Sequence, residues 1–340
     1  MKTRVAINGF GRIGRIAFRI ANDRTDLEVV AVNDLTDTKT LAYLLAHDSN
    51  YGNYHCKVEH DDKHIIVDGV KIPVLAEKDP AVLPWGDMKV DVVIESTGRF
   101  TTGEAAGAHI KAGAKKVVIS APTKSDEVKT VVIGANDAEL KDSGDVISNA
   151  SCTTNSVAAI MDILDREFGV EKAMLTTVHS DTASQTLTDA PSKDLREGRA
   201  APQNIVPTST GAAIAVALTV PSLKGKFDGL SIRVPTPVVS LSDVTMVFKR
   251  STTKEEINEV LKKAAAEPYY QGIVSVSDEP LVSSDYIGNS SSGTVDLALT
   301  NVVAGTLAKV VVWYDNEWGY SNRLVEIVAD VGRLLHAAKQ

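Results

Sequence analysis

Val5-Ala6-Ile7-Asn8-Gly9-Phe10-Gly11-Arg12-Ile13-Gly14 decides the fold. The β-branched opening reads as a strand buried on both faces, three glycines follow at a turn, and the last residues open a helix. Ile13, Ile16, Ala17 and Ile20 recur at helical spacing across residues 12–22. A second apolar run, Val29-Val30-Ala31-Val32, then completes a βαβ unit. In that context Gly9 permits the tight turn, Gly11 lets a pyrophosphate approach the backbone, and Gly14 lets the helix pack on the strand. Unpaired N–H groups at the helix start then face the phosphates. Asp34 stands about 20 residues beyond Gly14, where a carboxylate accepts hydrogen bonds from a ribose and repels a 2′-phosphate. NAD is therefore expected rather than NADP.

Further out, Val92-Val93-Ile94 and Val117-Val118-Ile119 read as two more buried strands. The segments after them, 95–100 with Thr97 and 120–122 with Ser120, fall at carboxyl ends of strands, where open α/β sheets bind ligands. Residues 56–75 alternate around Asp68-Gly69 and predict an antiparallel hairpin inserted beside the parallel sheet. After Asn149 the rhythm changes. Helical patterns over 153–168 and 254–267 separate long alternating runs at 174–179, 230–234, 241–248 and 308–314. Such strands imply a mainly antiparallel sheet carrying helices on one face. A last helix over 322–336 aligns Leu324, Ile327, Val328, Val331 and Leu335. The expected fold is α/β: a Rossmann-type parallel-sheet domain at 1–151, joined by the C-terminal helix 317–340, and an α+β catalytic domain at 152–316 that includes a long loop, 180–203.

Composition narrows the function. Of 340 residues, 44% are hydrophobic and 24% charged, which fits a globular chain and not a disordered or fibrous one. With 36 Lys+Arg against 44 Asp+Glu, the net charge of -8 gives no footprint for nucleic acid. No apolar run approaches the roughly 20 residues of a membrane-spanning helix, and no secretory pattern precedes the first strand. Two cysteines, Cys56 and Cys152, are too few for a disulfide framework and point to a reducing, cytoplasmic compartment.

Ser148-Asn149-Ala150-Ser151-Cys152-Thr153-Thr154-Asn155 leads into Val157, Ile160, Met161 and Leu164 at helical spacing. Ser151 and the threonines are capping residues, so Cys152 is expected in the first turn of a helix. There the helix dipole favours thiolate, and free N–H groups can hold an oxyanion formed when sulfur attacks a carbonyl. His179 ends a strand and begins the long polar loop. With a pKa near neutrality it would take the thiol proton and then the substrate proton. The remaining histidines show no metal-ligand spacing, and no metal is expected.

Several strings together resemble the phosphorylating glyceraldehyde-3-phosphate dehydrogenase family over essentially the whole chain. They are residues 8–15, Val32-Asn33-Asp34, 148–155, Thr176-Thr177-Val178-His179-Ser180, Asn204-Ile205-Val206-Pro207, Thr210-Gly211-Ala212-Ala213, Arg233-Val234-Pro235-Thr236-Pro237, and 313–321. The resemblance implies that Cys152 forms a hemithioacetal with D-glyceraldehyde 3-phosphate, with His179 as base. Hydride transfer to NAD would leave a thioester, which inorganic phosphate attacks to release 1,3-bisphosphoglycerate. It assigns Thr182 and Arg233 to the substrate phosphate. Ser151, Thr153, Thr210 and the Gly211 backbone are assigned to the attacking phosphate, and Arg12, Ile13, Asp34, Thr97 and Asn316 to NAD. Leu35 and Pro191 match NAD-using members, and the loop after His179 matches one that crosses a subunit interface in a homotetramer.

Four positions depart from the family pattern: Glu197 stands where members carry Arg or a small residue, Ile214 stands where Lys is common, and Asp181 and Ser156 are the other two. Asp181 replaces a usual Tyr, and its carboxylate is expected either to raise the pKa of His179 or to point away. Ser156 replaces a frequent second Cys. Two alternatives remain open at this level: erythrose-4-phosphate dehydrogenase, which uses the same thiol chemistry, and a non-catalytic NAD-binding regulatory protein on the same scaffold.

Overall fold

A computed structural model describes residues 2–337. The chain divides into two units, one of residues 1–131, 138–150 and 321–340, the other of 132–137 and 151–320. The segment 132–137 therefore groups with the second unit, although the sequence places it within the first domain.

In the first unit β1 (Thr3–Asn8) ends at the glycine turn, and α1 (Arg12–Asn22) starts from it and returns the chain to β2 (Leu27–Asn33). Helix α2 (Thr38–Ala46) is capped by Asp37, whose carboxylate accepts from the Thr40 N–H. A meander follows, β3 (Val58–His60), β4 (His64–Val67) and β5 (Val70–Leu75). Its second turn is Asp68-Gly69, with φ of 48° and 82°, the doubly left-handed geometry of a two-residue hairpin loop. The insertion is more integral than expected: β5 pairs with β2 in parallel, so the meander extends the sheet at its edge. The unit continues through β6 (Val92–Glu95), the short helices α3 (Gly103–Ala106) and α4 (Ala108–Lys111), β7 (Lys116–Ile119), β8 (Lys129–Thr130) and β9 (Val146–Ser148). The sheet order is β3-β4-β5-β2-β1-β6-β7-β9-β8, and every pairing from β5 to β8 is parallel. Ala6, Ala31, Trp85, Val93, Val117 and Ile119 form part of one buried cluster on this sheet. Burial on this scale is why the central strands are apolar in their middles, with polar side chains such as Arg4, Glu28, Lys116, Asn8 and Glu95 kept towards their ends.

The second unit opens with α5 (Cys152–Phe168), then β10 (Val170–His179), β11 (Val206–Ser209), α6 (Ala212–Thr219) and β12 (Phe227–Arg233). It continues with β13 (Ser240–Phe248), α7 (Lys254–Ala266), β14 (Val274–Ser277), β15 (Gly293–Asp296), β16 (Asn301–Val303) and β17 (Leu307–Tyr314). The main path runs β11-β12-β10-β13-β17-β15-β14, with β16 on β17. The sheet is mixed. Pairs β10–β12 and β14–β15 are parallel and the other five antiparallel. In β13 buried and half-buried residues alternate strictly, the signature of a sheet with one face covered. Helix α8 (Trp318–Ala337) begins a turn earlier than its apolar stripe predicts. Asp315 explains this, because its carboxylate accepts from the N–H groups of Glu317 and Trp318 and caps the helix there.

Candidate active site

The first unit makes its site largely from backbone. Gly9 has φ of 92°, and a Cβ there would meet the Thr97 nitrogen at 2.7 Å. A Cβ on Gly14 would lie 2.1 Å from the Gly9 carbonyl oxygen, so the helix can approach the strand only without it. Gly11 faces open space, where a phosphate group fits against the N–H groups that open α1. Gly9, Gly11, Asp34 and Thr97 line one cavity of about 580 Å³, large enough for an adenosine moiety, together with Leu35. Asp34 is also structural: its carboxylate accepts from the N–H groups of Phe10 and Thr36, holding the glycine turn to the end of β2. Both oxygens keep a lone pair for ribose hydroxyls. The donor set and the steric openings fit NAD.

Other residues assigned to this site lie apart from the cavity wall. The Arg12 guanidinium binds Asp48 at 2.6 Å, and burial that would raise the Asp48 carboxyl is outweighed by Arg12 and by the Asn50 and Tyr51 N–H groups, which hold it low. Ile13, Gly14 and Ser120 do not line the cavity, though the Ser120 N–H continues the sheet by bonding the Glu95 carbonyl.

Sequence reading missed what sits beneath Thr97. Glu95, 1% exposed, accepts from the Thr97 N–H and hydroxyl on one oxygen and from Asn8 Nδ2 on the other. His109 lies 3.0 Å from that second oxygen. Trp85 donates its indole N–H to His109 Nδ1, which fixes the proton on Nε2, facing Glu95. Asn33 in turn donates to Asn8. This buried chain of hydrogen bonds sets the cavity wall, and only the polar residues at strand ends could have signalled it.

The second unit builds its site from side chains. Ser151 caps α5 by accepting from the Thr154 N–H, which leaves Cys152 as the first helical residue. Its Sγ lies 3.4 Å from His179 Nε2. On the other side of the ring, Nδ1 lies 2.9 Å from the Ser180 carbonyl and 2.5 Å from Arg233 Nη1. The parallel register of β10 with β12 sets His179 directly beside Arg233, which is why residues 54 apart meet. Thr153 bonds the Tyr314 hydroxyl at 2.9 Å.

Electrostatics here differ from the sequence expectation. Burial pushes the Cys152 thiol up, opposed by the positive charge of Arg233 and by Thr153. Burial and then Arg233 push His179 down to about 3, not near neutrality. Both shifts disfavour a charge on either group by itself. Thiolate and imidazolium arise together, by transfer of one proton across the 3.4 Å contact.

Asp181 makes no hydrogen bond to His179, and the charge that shifts the ring is that of Arg233. Its carboxyl is pushed up by burial and pulled back by Arg233, and its N–H donates to the Thr236 carbonyl. Asp181 Oδ1, Arg233 Nε and Gln185 Nε2 are buried without hydrogen-bond partners among the described residues. Gln185 was not singled out from sequence. Its Oε1 accepts from the Thr182 N–H and hydroxyl, which aims the amide nitrogen away from Thr182 as an unused donor. Thr182, Thr210 and Gly211 form no hydrogen bond to Cys152, His179 or Arg233: Thr210 accepts from the Ala212 N–H, and Gly211 caps α6. Asn316 Oδ1 accepts from the Ser180 and Ser240 hydroxyls, both at 3.0 Å, so its NH₂ is the group left for a ligand carbonyl.

Two strained residues precede these groups. Ala150 has φ of 55°, just before Ser151 and Cys152. Val239 has φ of 73°, an outlier for a β-branched residue, just before Ser240. Such strain costs on the order of 1–3 kcal/mol each and persists where surrounding packing imposes it.

Two family models match the chain. One is described as glyceraldehyde 3-phosphate dehydrogenase, NAD binding domain, over residues 3–103, and the other as the C-terminal domain of the same enzyme over 151–316. Among similar proteins, the glyceraldehyde-3-phosphate dehydrogenase of Thermotoga maritima is 56% identical over 325 residues, covering 95% of this chain and 97% of its own. That of Geobacillus stearothermophilus is 52% identical over 330 residues, covering 97% and 98%. Glyceraldehyde-3-phosphate dehydrogenase 1 of Bacillus subtilis is 50% identical over 334 residues, covering 98% and 99%.

Proposed function

The chain belongs to the glyceraldehyde-3-phosphate dehydrogenase family, and from that premise we propose how its own residues perform the reaction. It is an NAD-dependent dehydrogenase that converts D-glyceraldehyde 3-phosphate and inorganic phosphate to 1,3-bisphosphoglycerate. We assign NAD binding to residues 1–151 with the C-terminal segment 317–340, of which 338–340 lie outside the described residues and α8 covers Trp318–Ala337, and catalysis to residues 152–316.

The observation that carries the assignment is the Cys152 Sγ to His179 Nε2 contact of 3.4 Å at the start of α5. Cys152 passes its proton to His179 and attacks the aldehyde carbon, forming a C–S bond. The oxygen charge that develops faces first-turn N–H groups, which have no partner inside the helix. His179 returns that proton to the oxygen to give the hemithioacetal hydroxyl, and takes it back as hydride leaves the carbon and the C–O double bond reforms. Bound NAD supplies the hydride acceptor. A phosphate oxygen attacks the resulting thioester, the C–S bond breaks, and the sulfur leaves as thiolate beside the protonated ring.

Arg233 and Thr182 hold the substrate phosphate, with Gln185 as an additional donor. The orphaned Arg233 Nε and Gln185 Nε2 support this reading, since buried donors without partners are costly unless a ligand meets them. A phosphate at Arg233 also offsets the positive charge that helps hold His179 down, so substrate makes the imidazole a stronger base. Ser151, Thr153, Thr210 and the Gly211 N–H hold the attacking phosphate. In the cofactor site Gly9 and Gly11 with the backbone of Arg12 and Ile13 seat the pyrophosphate, Gly14 lets α1 close on β1, Asp34 holds the ribose, Thr97 and Ser120 border the cofactor, and Asn316 NH₂ meets the nicotinamide carboxamide.

The protein acts as a homotetramer in the cytoplasm. Met174, Ile214, Leu218 and Leu307 support the first point, because they line an open apolar groove of about 750 Å³ on the second unit. Two free cysteines support the second. No helix among the described residues is long and apolar enough to cross a membrane. NADH formation from glyceraldehyde 3-phosphate, with and without phosphate and against erythrose 4-phosphate, tests the function. Phosphate-dependent turnover that prefers the three-carbon substrate is expected, and its absence overturns the reading. Sedimentation velocity should give four times the chain mass.

A further inference from the structure

Far along the chain from the reacting thiol, the second cysteine has company that sequence spacing did not reveal. Asp23 is the C-cap of α1, and His55 and Cys56 lie on the approach to β3. A carboxylate oxygen, an imidazole nitrogen and the thiol sulfur from these three residues lie within 4.8 Å of one another. His55 Nε2 is 3.2 Å from Asp23 Oδ1. Zinc bonds of about 2.0–2.1 Å to nitrogen and oxygen, at tetrahedral angles, put that pair of ligands about 3.3 Å apart. The observed edge is therefore already the length a zinc site needs. Sulfur sits farther out in such a site, as its bond of about 2.3 Å requires, and the exposed side chains of Asp23 and His55 have freedom to close on it.

A fourth group is at hand. The Asp68 carboxylate in the β4–β5 turn is a near neighbour of Cys56, its pKa is lowered by the Lys57 N–H and then by Cys56, and it is held in place by that N–H at 2.8 Å. The set is one nitrogen, one sulfur and two carboxylates. Hard ions such as calcium and magnesium take oxygen cages, whereas thiolate with imidazole selects zinc and its borderline-soft neighbours.

We propose that Asp23, His55, Cys56 and Asp68 form a binding site for zinc or a similar borderline-soft divalent cation, which ties the end of α1 to the edge meander. None of its residues takes part in the dehydrogenase reaction. On binding, the Cys56 sulfur forms the S–metal bond and its proton leaves to solvent. An ion that binds only the folded unit raises its melting temperature by mass action.

The test uses the full chain carrying Cys152→Ser, so that Cys56 is the remaining thiol. Cobalt(II) should produce a thiolate-to-metal charge-transfer absorption that saturates at one equivalent and is displaced by zinc. Adding Cys56→Ser should abolish the band and the zinc-dependent rise in melting temperature. His55→Asn and Asp23→Asn should each weaken zinc binding by more than about tenfold. These side chains lie at the surface, so circular dichroism should find every variant folded. Absence of the band at millimolar cobalt, or a band that His55→Asn and Asp23→Asn leave unchanged, overturns the proposal.

Discussion

The cofactor cradle and the thiol site are built on opposite plans. The cradle is a feature of backbone: a strand, a turn and a helix start within ten consecutive residues, made possible by the absence of side chains at Gly9, Gly11 and Gly14. The thiol site is a feature of side chains from positions 152, 179, 181, 185, 233 and 316, held by strand register and buried hydrogen bonds. A site of the first kind fails sterically, with little dependence on pH. One of the second kind fails electrostatically, and pH reads the failure.

The sharpest separation comes from Cys152→Ala. Phosphate-dependent NADH formation should fall by at least about 10⁴-fold, because no other group can carry the thioester. NAD binding measured by calorimetry should survive, since the cradle contributes nothing to the sulfur. Loss of both together would show that the two plans are not independent.

Arg233→Leu comes next. Removing a charge-assisted donor from a phosphate costs about 1.5–3 kcal/mol, so the KM for glyceraldehyde 3-phosphate should rise by roughly ten- to a hundredfold. The sign of the pH effect follows from the charge. Arg233 lowers the pKa of both Cys152 and His179, so its loss raises both. A raised imidazole pKa means protonation sets in at higher pH, so the acidic limb of Cys152 alkylation should move up from the low range set by a His179 pKa of about 3. At neutral pH the alkylation itself should slow. An unmoved limb would remove Arg233 from the electrostatics of the pair.

The cradle is broken by Gly14→Ala. A methyl group 2.1 Å from the Gly9 carbonyl must force α1 away from β1. About 2–4 kcal/mol of stability should be lost, along with most NAD affinity, and both losses should be flat between pH 6 and 8. A thermal melt with and without NAD checks this, and a near-normal melt would mean the turn has more slack than its contacts indicate.

The same contrast explains what could be read in advance. Helix α1 was predicted at its observed bounds, because glycine turn, apolar spacing and following strand all lie in one stretch. Cys152 at a helix start was equally readable, since Ser151 caps its own neighbour. What resisted reading depends on partners distant in sequence. The depressed pKa of His179 comes from burial and from Arg233, which only the β10–β12 register brings near. Gln185 lies in a polar loop where nothing local marks a buried amide. The left-handed backbone at Ala150 and Val239 carries no sequence signal at all, because neither residue is the glycine that such a conformation favours. Strands β8 and β9 escaped because they have two and three residues, too short for alternation to show.

The smallest effect tests how the second site fixes a single amide. Asn316 presents its NH₂ only because two hydroxyls, from Ser180 and Ser240, donate to its Oδ1. Ser240 Oγ also accepts from the Ser180 N–H at 3.1 Å, so the two serines act as one clamp. Replacing either serine by alanine leaves the amide oxygen one donor, and the KM for NAD should rise by a few-fold, about 1 kcal/mol. Replacing both leaves a buried oxygen with none, and the amide is then free to turn its oxygen towards the cofactor. The double variant should therefore lose more than the two single losses added together, a coupling of at least about 0.5 kcal/mol. Simple additivity would mean that Asn316 is oriented by packing, and that the second site is closer in kind to the first than its hydrogen bonds imply.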